Sequence, residues 1–263
     1  MASRNFPVAL TLGNTDPTGV EGIQADLKTF HQRGVYGLSI VAAVTIQNSR
    51  DLAQVETLSA DVVAAQLDHL LRDVTPHAAK AEGLVLGDVV EAVAERAARV
   101  NFPWVLDAAA TTRHGAPLAG EAIRQTLMRC LFPHTFLLVV DATQASSWSG
   151  RSVHDLASLI EAARALVDLG PRAVLIKGSR RVGGGCDVLY DGTHAHAYQA
   201  VQEKKAASTA WGSTYSAAVT AELAKGKELA GAVSQAKKYV TRAIEESPDW
   251  GSGMGPVNHR VEI

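Results

Sequence analysis

Val8-Ala9-Leu10-Thr11-Leu12-Gly13-Asn14-Thr15-Asp16-Pro17-Thr18-Gly19 reads as a short apolar strand that breaks into a loop dense in turn formers and side-chain acceptors. Helical spacing follows at once. Ile23, Leu27 and Phe30 share one face of a segment from Gly22 to Arg33, and Gly34 is placed to end it. Gly37 to Thr45 then has strand character. A strand, loop, helix and strand in this order form the unit of a parallel sheet covered by helices, whose sites are built from the loops after the strands.

The same alternation continues outward. Helical patterns at Ala60 to Leu71, Asp88 to Val100, Gly120 to Arg129 and Asp155 to Leu169 are interleaved with short strands at His77 to Ala81, Trp104 to Asp107, Phe136 to Val140 and Ala173 to Ile176. A hairpin is expected from Asp187 to Tyr190 and Ala195 to Tyr198, turning at Asp191-Gly192-Thr193-His194. Two helices, Tyr215 to Ala224 and Leu229 to Glu246, close the map. No internal repeat or low-complexity linker divides the 263 residues, so one α/β domain over 1–263 is expected.

Charge and composition narrow the function classes. With 25 Lys and Arg against 27 Asp and Glu, interspersed to a net charge of -2, the chain carries no electrostatic footprint for nucleic acid or an anionic membrane. No run is long and apolar enough for a signal-peptide core or a membrane span, so a cytoplasmic protein with a small-molecule ligand is expected. Cys130 and Cys186 are too few and too far apart for a disulfide scaffold or zinc cluster and read as buried thiols. The nine histidines offer no helix-spaced metal pair, and Ser213 lacks the context of a hydrolase nucleophile elbow.

Near the C-terminus, Ala206-Ala207-Ser208-Thr209-Ala210-Trp211-Gly212-Ser213-Thr214 is a run of small and polar residues, broken by one tryptophan, that leads into a helix. Unpaired amides and the positive dipole end make such a helix start an anion site, although a Gly-Ser-Thr turn also serves simply as a cap. Gly183-Gly184-Gly185 is a flexible turn preceded by Arg180 and Arg181, which suit either an anion or plain solvent.

Several pieces together resemble the hydroxymethylpyrimidine and phosphomethylpyrimidine kinases of thiamine biosynthesis. They are Asp16-Pro17-Thr18-Gly19, Gly22-Ile23-Gln24-Ala25-Asp26-Leu27-Lys28, Gly34-Val35-Tyr36-Gly37 and Thr45-Ile46-Gln47-Asn48. The likeness continues through Ala64 to Asp68, Lys80, Leu106-Asp107, Lys177-Gly178, Asp187 to Gly192 and Gly255 to His259. The resemblance implies a ribokinase-like three-layer sandwich with a mostly parallel central sheet, and phosphoryl transfer from ATP, with Mg²⁺, to a hydroxymethyl oxygen. It also implies a homodimer.

On the substrate side the resemblance gives Gln47 the pyrimidine edge, which an amide serves as both donor and acceptor. Asp16 matches the family's first-loop acid, as ligand contact or turn former. Asn14 and Val20 stand where the family usually has glycine, Glu21 takes a small-residue position, and Gly83 replaces a methionine that packs on the ring. On the phosphate side Lys177 matches a position near the nucleotide, although a lysine there can also snorkel to solvent. Ala210, Trp211, Gly212 and Ser213 occupy the places of glycine, threonine, glycine and the catalytic cysteine or aspartate, followed by Thr214. Ser213 thus takes the catalytic position with a weaker proton acceptor, and Trp211 is a candidate obstruction to the anion hole. Ala142 and Ala145 replace the asparagine and glutamate that organise metal and phosphate. Asp141 and Asp107, at strand ends, remain as candidate ligands for a hard cation, with helix capping the other role open to Asp141. Two functions stay open: a small-molecule kinase of impaired activity, and a non-catalytic relative that binds a ligand or partner.

Overall fold

The computed structural model describes residues 6–108, 120–178, 186–199 and 209–263. Its centre is a nine-stranded sheet in the order β3-β2-β1-β4-β5-β6-β7-β8-β9. The strands are β1 Val8–Asn14, β2 Tyr36–Gln47, β3 Leu52–Thr57, β4 Ala78–Glu82, β5 Trp104–Asp107, β6 Leu137–Asp141, β7 Ala173–Lys177, β8 Cys186–Tyr190 and β9 Ala195–Gln199. From β2 to β7 every neighbouring pair is parallel, and β3, β8 and β9 add antiparallel edges.

Period-two alternation sorts the strand residues onto two faces. Leu10 and Leu12, Leu138 and Val140, Val174 and Ile176 meet α2 Ala60–Leu71, α3 Gly87–Ala97 and α6 Leu156–Val167. Their neighbours Ala9, Leu137, Val139, Ala173 and Leu175 meet α1 Gly22–Gln32, α7 Gly212–Ala224 and α8 Leu229–Glu245 on the other face. Two buried apolar layers with a sheet between them make the expected three-layer sandwich.

Two elements were not anticipated. β3 lies at the sheet edge with most of its residues exposed, so it has no apolar alternation to announce it. α5 Ala142–Ser149 is built of small and polar residues and depends on its start: the Asp141 carboxylate accepts from the Gln144 amide, and Gln144 Oε1 accepts from the Asp141 amide. The expected helix from Gly120 is regular only as α4 Glu121–Thr126, after which Leu127–Leu131 widens into a π turn. α7 begins at Gly212, three residues before the expected Tyr215. Cys130 and Cys186, expected to be buried, are half-exposed free thiols.

Candidate active site

Parallel strands deliver their last residues to one edge of the sheet, where loops and helix starts converge. Asn14 ends β1, Gln47 ends β2, Asp107 ends β5, Asp141 ends β6, Lys177 ends β7, and Gly83 follows β4. The start of α7 faces the same edge, because Lys177 Nζ lies 3.1 Å from where a Cβ on Gly212 would stand. Residues from six strand ends and one helix start thus gather at one edge of the sheet.

On the first-loop side, Asp16 is only 1% exposed and spends its carboxylate on the loop itself, accepting from the amides of Thr18, Val20 and Glu21 and from the Thr18 hydroxyl. These bonds shape the loop. Gly22 needs its positive φ of 63° here, and a Cβ would stand 2.4 Å from the Asn14 carbonyl oxygen. Gln47 is half-buried, and its amide makes no hydrogen bond among the described residues.

Asn14 and Gly83 prove to be one feature. The Asn14 Nδ2 donates to the Gly83 carbonyl at 3.0 Å, and a Cβ on Gly83 would stand 2.6 Å from that nitrogen. Asn14 thus fills the space that a side chain at position 83 would take. Asn14 Oδ1 is buried without a protein partner, an acceptor left for a ligand or water.

At the phosphate side, Trp211 is the N-cap of α7 and has no side-chain acceptor to offer its first turn. The first helical bond runs from the Tyr215 amide to the Trp211 carbonyl, so the amides of Gly212, Ser213 and Thr214 precede the helical ladder. The Trp211 indole packs 6.2 Å from the Tyr215 ring and 5.7 Å from Lys237 Nζ, along the helix flank and partly within the second core. It is thereby joined to α8 through Lys237. The Thr214 hydroxyl is engaged with His259 Nε2 at 3.1 Å, and Thr214 is fully buried. Burial holds His259 neutral, its pKa lowered to about 3.

Ser213 brings together groups far apart in sequence. Its Oγ lies 2.8 Å from Lys80 Nζ, 2.9 Å from Asp26 Oδ1 and 3.1 Å from Glu82 Oε1. Lys80 also pairs with Asp26 at 2.6 Å and Glu82 at 2.7 Å, with Asp26 and Lys80 fully buried. Asp107 joins from β5, accepting from Ser216 Oγ at 2.7 Å and lying 3.6 Å from Lys177 Nζ. Its oxygens are thus engaged within the protein. Burial first, then the Asp26 charge, pushes the Glu82 carboxyl up to about 8 against the pull of Lys80.

Sequence reading missed Asp26 and Glu82 as site residues. A signal was present: Lys80 and Glu82 alternate on one face of an otherwise alanine strand, and Asp26 interrupts the apolar face of α1. The two halves of the site are also tied together. β11 Gly255–Pro256 pairs with β10 Thr209–Ala210 just before α7, and the nearby Met254 amide donates to the Ser49 carbonyl in the turn after Gln47. Arg180, Arg181, Gly183-Gly184-Gly185 and Ala206 to Ser208 lie outside the described residues.

The family model described as phosphomethylpyrimidine kinase matches residues 16–258. The chain belongs to that family. A hydroxymethylpyrimidine/phosphomethylpyrimidine kinase of Synechococcus elongatus is 36% identical over 255 residues, covering 96% of this chain and 97% of the relative. The corresponding Streptomyces coelicolor protein is 35% identical, covering 96% and 94%. Among solved structures, the Bacillus subtilis pyridoxal kinase in its ADP complex superposes with a TM-score of 0.87 at 32% identity, over 97% of each chain. The Clostridium difficile phosphomethylpyrimidine kinase gives 0.82 at 28%, over 90% of this chain and 99% of that one. Within this kinase family the fold is the ribokinase-like sandwich described above.

Proposed function

We propose that this chain transfers a phosphoryl group from ATP to the hydroxymethyl oxygen of a hydroxymethylpyrimidine, its phosphate, or a related heteroaromatic alcohol such as pyridoxal. One observation carries the reading: the Lys177 ammonium stands over Gly212 at the start of α7, where positive charge and unpaired amides suit a transferring phosphate. Gln47 supplies an amide for the ring, and Asn14 Oδ1 supplies a second acceptor. Ser213 takes the position beside the reacting hydroxyl, with the Gly212 amide on the phosphate. Trp211 walls the nucleotide side.

Among the described residues, no cluster of three or more His, Cys, Asp or Glu would hold a metal on protein ligands alone. That donor set fits Mg²⁺, which commonly relies on substrate phosphates, water and one or two carboxylates. Asp141, exposed at the end of β6, is the carboxylate we assign to it, with Asp107 behind, engaged by Ser216 and Lys177. The metal would neutralise charge on the phosphates.

We infer a single domain over 1–263, supported by the one sheet on which both helical layers pack. A homodimer through the β2 and β3 edge is supported by the exposed Val44 and Ile46 on β2. A cytoplasmic setting fits the use of ATP and the free cysteines. No described helix is long and apolar enough to cross a membrane.

The test is incubation with Mg-ATP and each of hydroxymethylpyrimidine, phosphomethylpyrimidine and pyridoxal, with product detected by mass. Phosphorylated product from at least one is expected. No product from any of them at high enzyme concentration refutes the assignment and leaves the non-catalytic reading.

A further inference from the structure

We propose that Glu82 is the proton acceptor for phosphoryl transfer in this chain, acting through the hydroxyl of Ser213. The inference rests on the kinase reading above and concerns how the chain runs that reaction with serine at the catalytic position.

Geometry selects Glu82 from the cluster. Ser213 Oγ has one hydrogen and two lone pairs. Lys80 Nζ, at 2.8 Å, donates to one lone pair, and the hydrogen goes to a carboxylate. Asp26 and Glu82 are both in reach, at 2.9 and 3.1 Å. Asp26 is the more heavily engaged: its Oδ1 takes Lys80 as well as Ser213, its Oδ2 takes the Thr11 hydroxyl, and its side chain is fully buried. Glu82 gives only Oε2 to Lys80 and keeps 10% of its side chain exposed. Ser213 itself is 9% exposed. The serine and the glutamate therefore keep some exposure, whereas Asp26 and Lys80 have none.

Charge points the same way. Asp26 from α1, Glu82 from β4 and Asp107 from β5 face Lys80 within the cluster, with Lys177 at its rim. Three carboxylates against two ammonium groups leave a place for one proton; burial raises both Asp26 and Glu82, and of the two only Glu82 has an oxygen whose one hydrogen-bond partner is Ser213. A raised carboxylate is a better proton acceptor than an unassisted serine.

The step balances. The alcohol proton passes to Ser213 Oγ as the serine's own proton passes to Glu82 Oε1. The alcohol oxygen forms the new bond to phosphorus, the bond from phosphorus to the bridging oxygen breaks, and ADP leaves with that electron pair. Glu82 ends protonated and releases its proton to solvent.

Glu82→Gln keeps the shape and one of the two accepted hydrogen bonds but removes the base. With wild type active, kcat is expected to fall about 100-fold while KM for the alcohol stays within about threefold. Wild-type kcat should rise with pH as a carboxylate is freed, and that rise should vanish in the variant. Glu82→Asp should recover part of the rate. Ser213→Ala reads the same relay independently of how Glu82→Gln folds, and adding Glu82→Gln to it should cost little more. The thermal shift with ADP should persist in each variant, which separates lost chemistry from lost binding. If wild type turns over and Glu82→Gln retains its kcat and pH profile, or if the Ser213→Ala and Glu82→Gln losses multiply, the relay is wrong and the kinase assignment stands. If wild type gives no product, the assignment falls and takes the relay with it.

Discussion

Helix α7 carries a buried ionic cluster at each end, and the two are opposites. At its C-terminal end, Glu222 has a fully buried side chain ringed by cations: Arg33 at 2.6 Å and Lys225 and Lys227 each at 2.7 Å. Despite burial, those partners hold its carboxyl below the ordinary range. At its N-terminal end, Lys80 is the buried cation among Asp26, Glu82 and Asp107, and Glu82 is pushed up to about 8. The difference is one of supply. A carboxylate with surplus positive charge is fixed in one protonation state and only holds structure, whereas carboxylates short of positive charge leave one group able to exchange a proton. The second arrangement sits at the edge of the sheet where the strand ends collect.

The largest test of that contrast is Lys80→Met. It leaves Asp26 and Glu82 buried without their cation, and a stability loss of about 4 kcal/mol is expected in denaturant unfolding. A loss below about 1 kcal/mol would mean that the carboxylates take up protons and need no cation. Glu222→Gln should cost less, about 2 kcal/mol, because Lys225 and Lys227 can turn to water. Its kcat should match wild type; a lowered kcat in folded protein would show that the structural end also reaches the chemistry.

Asp141→Ala belongs to neither cluster. It removes the cap of α5, at about 1 kcal/mol in thermal or denaturant melts, and should raise the Mg²⁺ concentration needed for half-maximal rate. An unchanged Mg²⁺ requirement would remove Asp141 from the metal site.

A further effect is in pH. A carboxyl raised in the folded state contributes stability that is full below its unfolded value of about 4.5 and is lost as pH rises through about 8. Wild type should therefore lose thermal stability relative to Glu82→Gln as pH is raised across that window. A difference in Tm that stays flat would place the exchangeable proton on another member of the cluster.

Local pattern carried much of the fold. The uninterrupted apolar runs Leu137 to Val140 and Ala173 to Ile176, the helical spacing of Ile23, Leu27 and Phe30, and the turn at Gly34 each act over a few residues, so they are legible without a partner. β3 and α5 were not legible, because an exposed edge strand and a helix held by its cap lack an apolar face. Asp16 read equally well as turn former or ligand contact, and the loop's own amides decided its geometry.

Ser213 shows where that reading ends. Sequence alone placed it at a helix start, gave it the catalytic position by resemblance, and found no neighbour to assist it. Folding brings Asp26 from 187 residues away and Glu82 from 131. Sequence also determined that Lys80, Glu82 and Asp26 would be charges in otherwise apolar elements. Only the packing of α1 and α7 against β4 decided that these charges would meet around one hydroxyl, because charges of such separation interact only once the sheet and helices have fixed their distance.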